Sequence, residues 1–265
     1  MRIWLQKHTV EGRSALLDQL YAEHVTAVAG PETTVEIHTL PPQTYNAPLP
    51  EHLVGYAEIG QLFADHFAAT AVAAERDGCD AWISAAGQDP GVEAARLRTG
   101  IPVIGYGQAT WQLARDSGAA LGVLGFIPEL AEPITANIRA AGARLASYQV
   151  IPDGPALVER ALAEDVAPLV EAYTAAAIRA GSCGARWLVP AEGIPNEILV
   201  HLQIRELAGL PLIDPGGLAI ATAEHECRLR AQGIIPRAET GYRRRAPGSL
   251  VAHVEKALGM SGVDW

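Results

Sequence analysis

The chain has 265 residues, 49% of them hydrophobic and 19% charged, the composition of a compact α/β protein with a real core rather than a disordered or fibrous one. Its formal net charge of −10 at pH 7 argues against nucleic acid or an anionic membrane as partner, since both need a dense basic face, and the only basic run is Arg243 to Arg245. The start, MRIWLQKHTV, breaks the apolar stretch a secretory leader needs, and no later run reaches the ~18 apolar residues of a membrane helix, so a cytoplasmic location without membrane contact is expected.

In chain order, MRIWLQ reads as a strand, 11–28 as a helix and 34–39 as an alternating strand, followed by the Pro-rich loop PPQTYNAPLPEH. An Ala-rich helix over 57–76 leads to an apolar strand at 81–85, a Gly/Pro loop, a helix from Val92 and a strand at 101–105. The order then repeats: strand 120–126, helix 130–141, strand 145–151, helices across 155–180, strand 186–190, helix 195–208, strand 210–213 and a helix from Gly217. Such alternation predicts parallel sheets with right-handed crossovers. Two segments, GCDAWISAAGQDPG from Gly78 and GARWLVPAEGIP from Gly184, share one strand, loop and helix order. Superposing them places Ala86 on Glu192 and Gly87 on Gly193, as in two halves of a duplicated unit.

These segments, together with IPVIGYGQA at 101–109 and LPLIDPGGLAIATAE at 210–224, resemble the aspartate/glutamate racemase superfamily, and most closely its hydantoin racemase branch. The resemblance runs from Met1 to about Glu224 and is weak beyond it. It implies two pseudo-symmetric Rossmann-like lobes, each a small parallel sheet flanked by helices, with the active site in the cleft between them. Lobe one would comprise 1–107 plus 218–265, and lobe two 108–217. Racemases of this kind place one cysteine after such a strand in each half, so that two thiols flank a substrate carbon. The matching positions here hold Ala86 and Glu192, so a thiol pair is impossible. The resemblance also implies a homo-oligomer.

Glu192 is the first candidate for chemistry, because it follows a strand among apolar neighbours and desolvation raises a carboxyl pKa toward the range useful for acid/base work. Its plain alternative is a charge at the N-terminus of the next helix. Lys7 and His8 end the first predicted strand, where the resembled racemases carry an asparagine-containing loop, and they offer a cation or a base. Ala86 and Gly87 contribute backbone N–H groups in the loop AAGQDPG; Gln88 and Asp89 are its polar side chains, and Asp89 before Pro90 also reads as the cap of the next helix. Tyr106 and Gln108 follow the strand IPVIG, Gly193 follows Glu192, and Asp214 precedes Pro215-Gly216-Gly217 as a cap or a substrate contact. At the end of the strand near 125, Gly125 and Phe126 stand where the resembled enzymes have threonines, which suggests a more apolar ligand group.

No dinucleotide fingerprint, Walker loop or Gly-x-Ser-x-Gly elbow occurs, and the AEHEC segment around His225 lacks the second His of a zinc helix. Cys79, Cys183 and Cys227 have no metal-ligand spacing and read as small structural hydrophobes. The expectation is therefore an enzyme without cofactor or metal that moves a proton next to a carbonyl of a small anionic or amide-containing molecule, a hydantoin, amino acid or related acid. Two rival readings stand beside it: a lyase, decarboxylase or ring-opening hydrolase with Glu192 as its single acid/base, and a non-catalytic small-molecule binding protein.

Overall fold

A computed structural model describes residues 1–236 and 244–259; Arg243 of the basic run, and 237–243 and 260–265 of the expected lobe-one tail, lie outside the described residues. Strands β1 (Arg2–Val10), β2 (Thr34–Leu40), β3 (Ala81–Ala85) and β4 (Val103–Gly105) form one parallel sheet in the order β2-β1-β3-β4. Helices α1 (Ala15–Val28), α2 (Glu51–Val54), α3 (Ala57–Arg76), α4 (Val92–Arg98) and α5 (Tyr106–Ser117) connect or follow them. Strands β5 (Ala120–Gly125), β6 (Arg144–Val150) and β7 (Trp187–Pro190) form a second parallel sheet, β6-β5-β7, with α6 (Ala131–Ala140), α7 (Gly154–Leu162), α8 (Ala167–Ser182) and α9 (Gly193–His201). The molecule is thus two lobes of parallel sheet flanked by helices. Strands β3 and β5, apolar except for Ser84, are buried along their full length, as expected of strands covered on both faces.

Helix α10 (Pro215–Ala231) packs on β3 and β4 of the first sheet and on α5, while α9 packs on α1, so two helices that follow the second sheet in the chain lie against elements of the first lobe. Helix α11 (Gly248–Ala257) buries no residue. No helix among the described residues is long and apolar enough to cross a membrane.

Three elements differ from the sequence expectation. Strand β1 continues through Lys7 and His8 to Val10, because Lys7 pairs with Ala85 of β3 and Val10 with Leu40 of β2, so neither Lys7 nor His8 ends the strand. Helix α1 starts at Ala15 rather than near Glu11, since the Ser14 side chain caps it and Gly12 turns at φ +76°. The expected helix 195–208 stops at His201, and β8 (Glu206–Leu207) pairs antiparallel with β9 (Leu210–Pro211) across Ala208 and Gly209, both at positive φ as a tight hairpin requires. Among the described residues, a single parallel bridge, Leu188 to Leu212 just after β9, joins this segment to the second sheet.

Candidate active site

The carboxyl ends of β1, β3, β5 and β7 meet in the seam between the lobes. Strands β3, β5 and β7 are mostly apolar runs, whereas β1 carries Gln6, Lys7, His8 and Thr9 within the sheet. The loops close on a cavity of about 40 Å³, lined among others by His8, Ala86, Gln88, Phe126, Glu192 and Gly193. The space between the loops is small, on the scale of a bound water. Their contact is tight: a Cβ on Gly87 would lie 1.7 Å from the Ala191 carbonyl oxygen, so only glycine permits the approach.

Glu192 is 6% exposed, and the backbone N–H groups of Phe126 and Ile127 donate to its carboxyl at 3.2 and 3.4 Å. Burial dominates those hydrogen bonds and raises its pKa from 4.5 to about 8. Behind it in the second lobe, the buried hydroxyls of Tyr148 and Tyr173 have no hydrogen-bond partner among the described residues, and burial, followed by the Glu192 charge, pushes both phenols upward.

From the first lobe, His8 packs edge-on against Phe63 and Phe67, with ring centroids 4.4 and 5.4 Å away, and burial, then His66, lowers its pKa from 6.5 to about 4. The Gln88 amide lies 3.4 Å from its Nδ1, and because the amide presents either oxygen or nitrogen by a flip, it suits either neutral tautomer. Glu192 and His8 are therefore both uncharged between about pH 4 and pH 8.

Of the residues singled out from sequence, Glu192, His8, Ala86, Gly87, Gln88 and Gly193 come together around this cavity. The others are placed elsewhere. Lys7 is 1% exposed, donates to Asp18 at 2.8 Å and lies over the Tyr21 ring at 4.5 Å from its centroid. Asp89, at φ 55°, caps not the next helix α4 but α5, accepting from the N–H groups of Gly107 and Gln108 at 2.8 and 2.7 Å; burial nonetheless raises its pKa to about 7. Tyr106 is buried at the start of α5 with its hydroxyl unpartnered, and Gln108 faces a separate groove beside Arg96 and Arg230.

Asp214 caps α10 through Gly217 and also belongs to a buried cluster that sequence reading missed. His24 bonds Glu197 through Nδ1 and Asp214 through Nε2, both at 2.8 Å, and Asn196 donates to Asp214 at 3.0 Å. Burial opposes the imidazolium, but the hydrogen bonds to Asp214 and Glu197 prevail and raise its pKa to about 10. The cluster ties α1, α9 and the start of α10 together, directly beneath the helix that begins after Glu192. His24 gave no signal in the sequence beyond a lone helical His. Tyr21, one turn earlier on α1, also lines the cavity and was likewise missed. All three thiols are free and none lines the cavity; Cys79 is buried, but Cys183 is exposed because it closes the surface end of α8.

The model of the Asp/Glu/hydantoin racemase family matches residues 19–188. No curated protein matches the sequence significantly. Among solved structures, the allantoin racemase AllR from Pseudomonas fluorescens is 24% identical with a TM-score of 0.68, over 93% of this chain and 97% of that one. An allantoin racemase from Klebsiella pneumoniae is 20% identical with a TM-score of 0.66, over 93% and 94%. A double mutant of arylmalonate decarboxylase in its liganded form is 12% identical with a TM-score of 0.55, over 85% and 92%.

Proposed function

Since the chain belongs to the Asp/Glu/hydantoin racemase family, we propose that it is a cofactor-independent isomerase that moves a proton on carbon next to the carbonyl of a small amide-containing molecule, with Glu192 as acid/base on one face. The observation that carries this reading is the buried Glu192 carboxyl after the end of β7, lining one cavity together with His8, with the two pKa values pushed apart to about 8 and about 4. Paired groups separated in this way mark an acid and a base. Neutral His8 takes the proton from the substrate carbon, the C–H electron pair moves to the carbonyl oxygen as an enolate, and the protonated Glu192 carboxyl delivers its proton to the opposite face. The carbon is inverted, His8 becomes imidazolium and Glu192 carboxylate, and their proton balance is restored through solvent when the loops part.

The cavity wall favours an uncharged amide ring over a free amino acid. Its lining includes Phe126, Ile127, Leu130 and Ile194 but no lysine or arginine, and Lys7 is committed to Asp18. Allantoin, the substrate class of the racemases this fold is similar to, is such a ring.

Ala86 favours one other reading. With no acid/base side chain at position 86, a carbanion formed by loss of carbon dioxide or of another group would be protonated by Glu192 from a single face, as a decarboxylase requires. Incubation in deuterium oxide with hydantoins, allantoin, amino acids, aryl malonates and unsaturated diacids, followed by proton NMR, separates the two. Exchange at the α-carbon with loss of optical rotation, abolished in Glu192→Gln, supports isomerisation. Carbon dioxide release or elimination supports the second, and full activity of Glu192→Gln removes Glu192 from both.

A further inference from the structure

We propose that the Tyr21 hydroxyl, presented from α1 into the seam between the lobes, is a catalytic hydrogen-bond donor to the enolate oxygen of the substrate. The inference rests on the enolate chemistry just proposed and adds to it the group that stabilises the developing charge.

Tyr21 is 5% exposed and lines the cavity together with Glu192, His8 and Ala86. The place of its hydroxyl follows from Gly193. A Cβ there would lie 2.6 Å from the Tyr21 oxygen and 3.6 Å from the Ala85 carbonyl oxygen. The phenol tip therefore sits beside the N-terminus of α9 and close to the end of β3, between the loop of Glu192 and the loop of Ala86. An oxygen of a substrate carbon held between those loops falls in this strip. The N-terminus of α9 has no side-chain cap, so its backbone dipole favours negative charge at the same spot.

The ring is held firmly. Lys7 lies over its face at 4.5 Å, and a cation on a phenol face draws electron density from the ring and sharpens the O–H as a donor. Asp18 fixes Lys7 at 2.8 Å, which makes Lys7 a positioning residue acting through Tyr21. Burial, then the charge of Glu197, pushes the phenol well above 10, so it keeps its proton and serves as donor rather than as base. One turn on, the contacts of His24 with Glu197 and Asp214 hold α1 against α9 and keep the strip in register.

The test is Tyr21→Phe, which keeps the ring and its stacking under Lys7. Binding is measured by calorimetry at pH 7 with two probes, neutral hydantoin and the barbiturate anion, a planar cyclic ureide whose charge is spread over its ring oxygens like that of a hydantoin enolate. The expected result is that wild type prefers barbiturate, that Tyr21→Phe weakens barbiturate about tenfold to a hundredfold, and that hydantoin affinity changes by less than about twofold. In turnover of whichever panel substrate reacts, kcat falls while KM holds. Equal barbiturate affinity in the two proteins overturns the role of Tyr21 and leaves that of Glu192 intact, because deuterium exchange tests Glu192 separately. Failure of wild type to bind either probe overturns the amide-ring substrate class and this inference with it.

Discussion

Replacing Glu192 by glutamine tests the central carboxyl without reference to any substrate. Glu192 is buried, and its pKa stands at about 8 against an ordinary 4.5. The folded chain therefore holds this proton more tightly than the unfolded chain does. The stabilisation of the protonated form is fully present below about pH 4.5 and is lost as the pH rises through about 8. At about 1.36 kcal/mol per pH unit, wild type loses about 4 kcal/mol relative to Glu192→Gln between pH 5 and pH 8. Glutamine keeps a carbonyl oxygen to accept from Phe126 and Ile127 but never ionises, so any fixed difference between the proteins cancels when the difference is followed with pH. Urea denaturation of both proteins at pH 5, 6, 7 and 8 reads it directly. In thermal melts the same change appears as a relative shift of roughly 10 °C, at ~2–4 °C per kcal/mol for a chain of this size. A stability difference that is flat across that range would refute the enclosed, proton-retaining carboxyl and the acid role built on it.

Three further outcomes follow from the packing. His24→Ala leaves Glu197 and Asp214 buried without their shared cation and is expected to cost about 3–5 kcal/mol in urea denaturation at pH 7; in wild type the stabilisation from His24, whose pKa is about 10, is fully present below pH 6.5 and lost as the pH rises through 10, so the His24 ring proton signals should not titrate between pH 5 and 8. Gly87→Ala forces a Cβ onto the Ala191 carbonyl oxygen, so the loops are pried apart, and circular dichroism should stay native while deuterium exchange activity falls by at least about tenfold. Asp89→Asn tolerates the φ of 55° but has a single acceptor oxygen for the N–H groups of Gly107 and Gln108, which predicts a loss of about 1–3 kcal/mol by urea denaturation at pH 8.

Much of the architecture was legible in the chain because it is local. Apolar runs such as 81–85 and 120–125 are too short for helices and lack alternation, which is how buried parallel strands read, and the structure has strands there. The shared pattern at Gly78 and Gly184 located both strand-end loops and so brought Ala86, Gly87, Glu192 and Gly193 to one cavity in advance. The polar groups were harder. Lys7 and His8 looked like one strand end, yet a strand alternates its faces, so one side chain turns to Asp18 and Tyr21 and the other to Phe63, Phe67 and the cavity. Asp89 stood next to a helix start in sequence but caps a different helix, because β3 and β4 are neighbours in the sheet.

The sequence by itself determined the α/β class, since this depends on residue type and on periodicities within a few turns of chain, and its family resemblance carried the two-lobe plan that the sheets bear out. Only the tertiary structure decided which side chains meet. Tyr21 and His24 lie on an ordinary amphipathic helix, and nothing in their spacing announces Gly193, Glu197 or Asp214, which are far away in sequence and brought close by α9 and α10 crossing the seam. The raised pKa of Glu192 has the same origin, because desolvation belongs to the packed site and not to the residue.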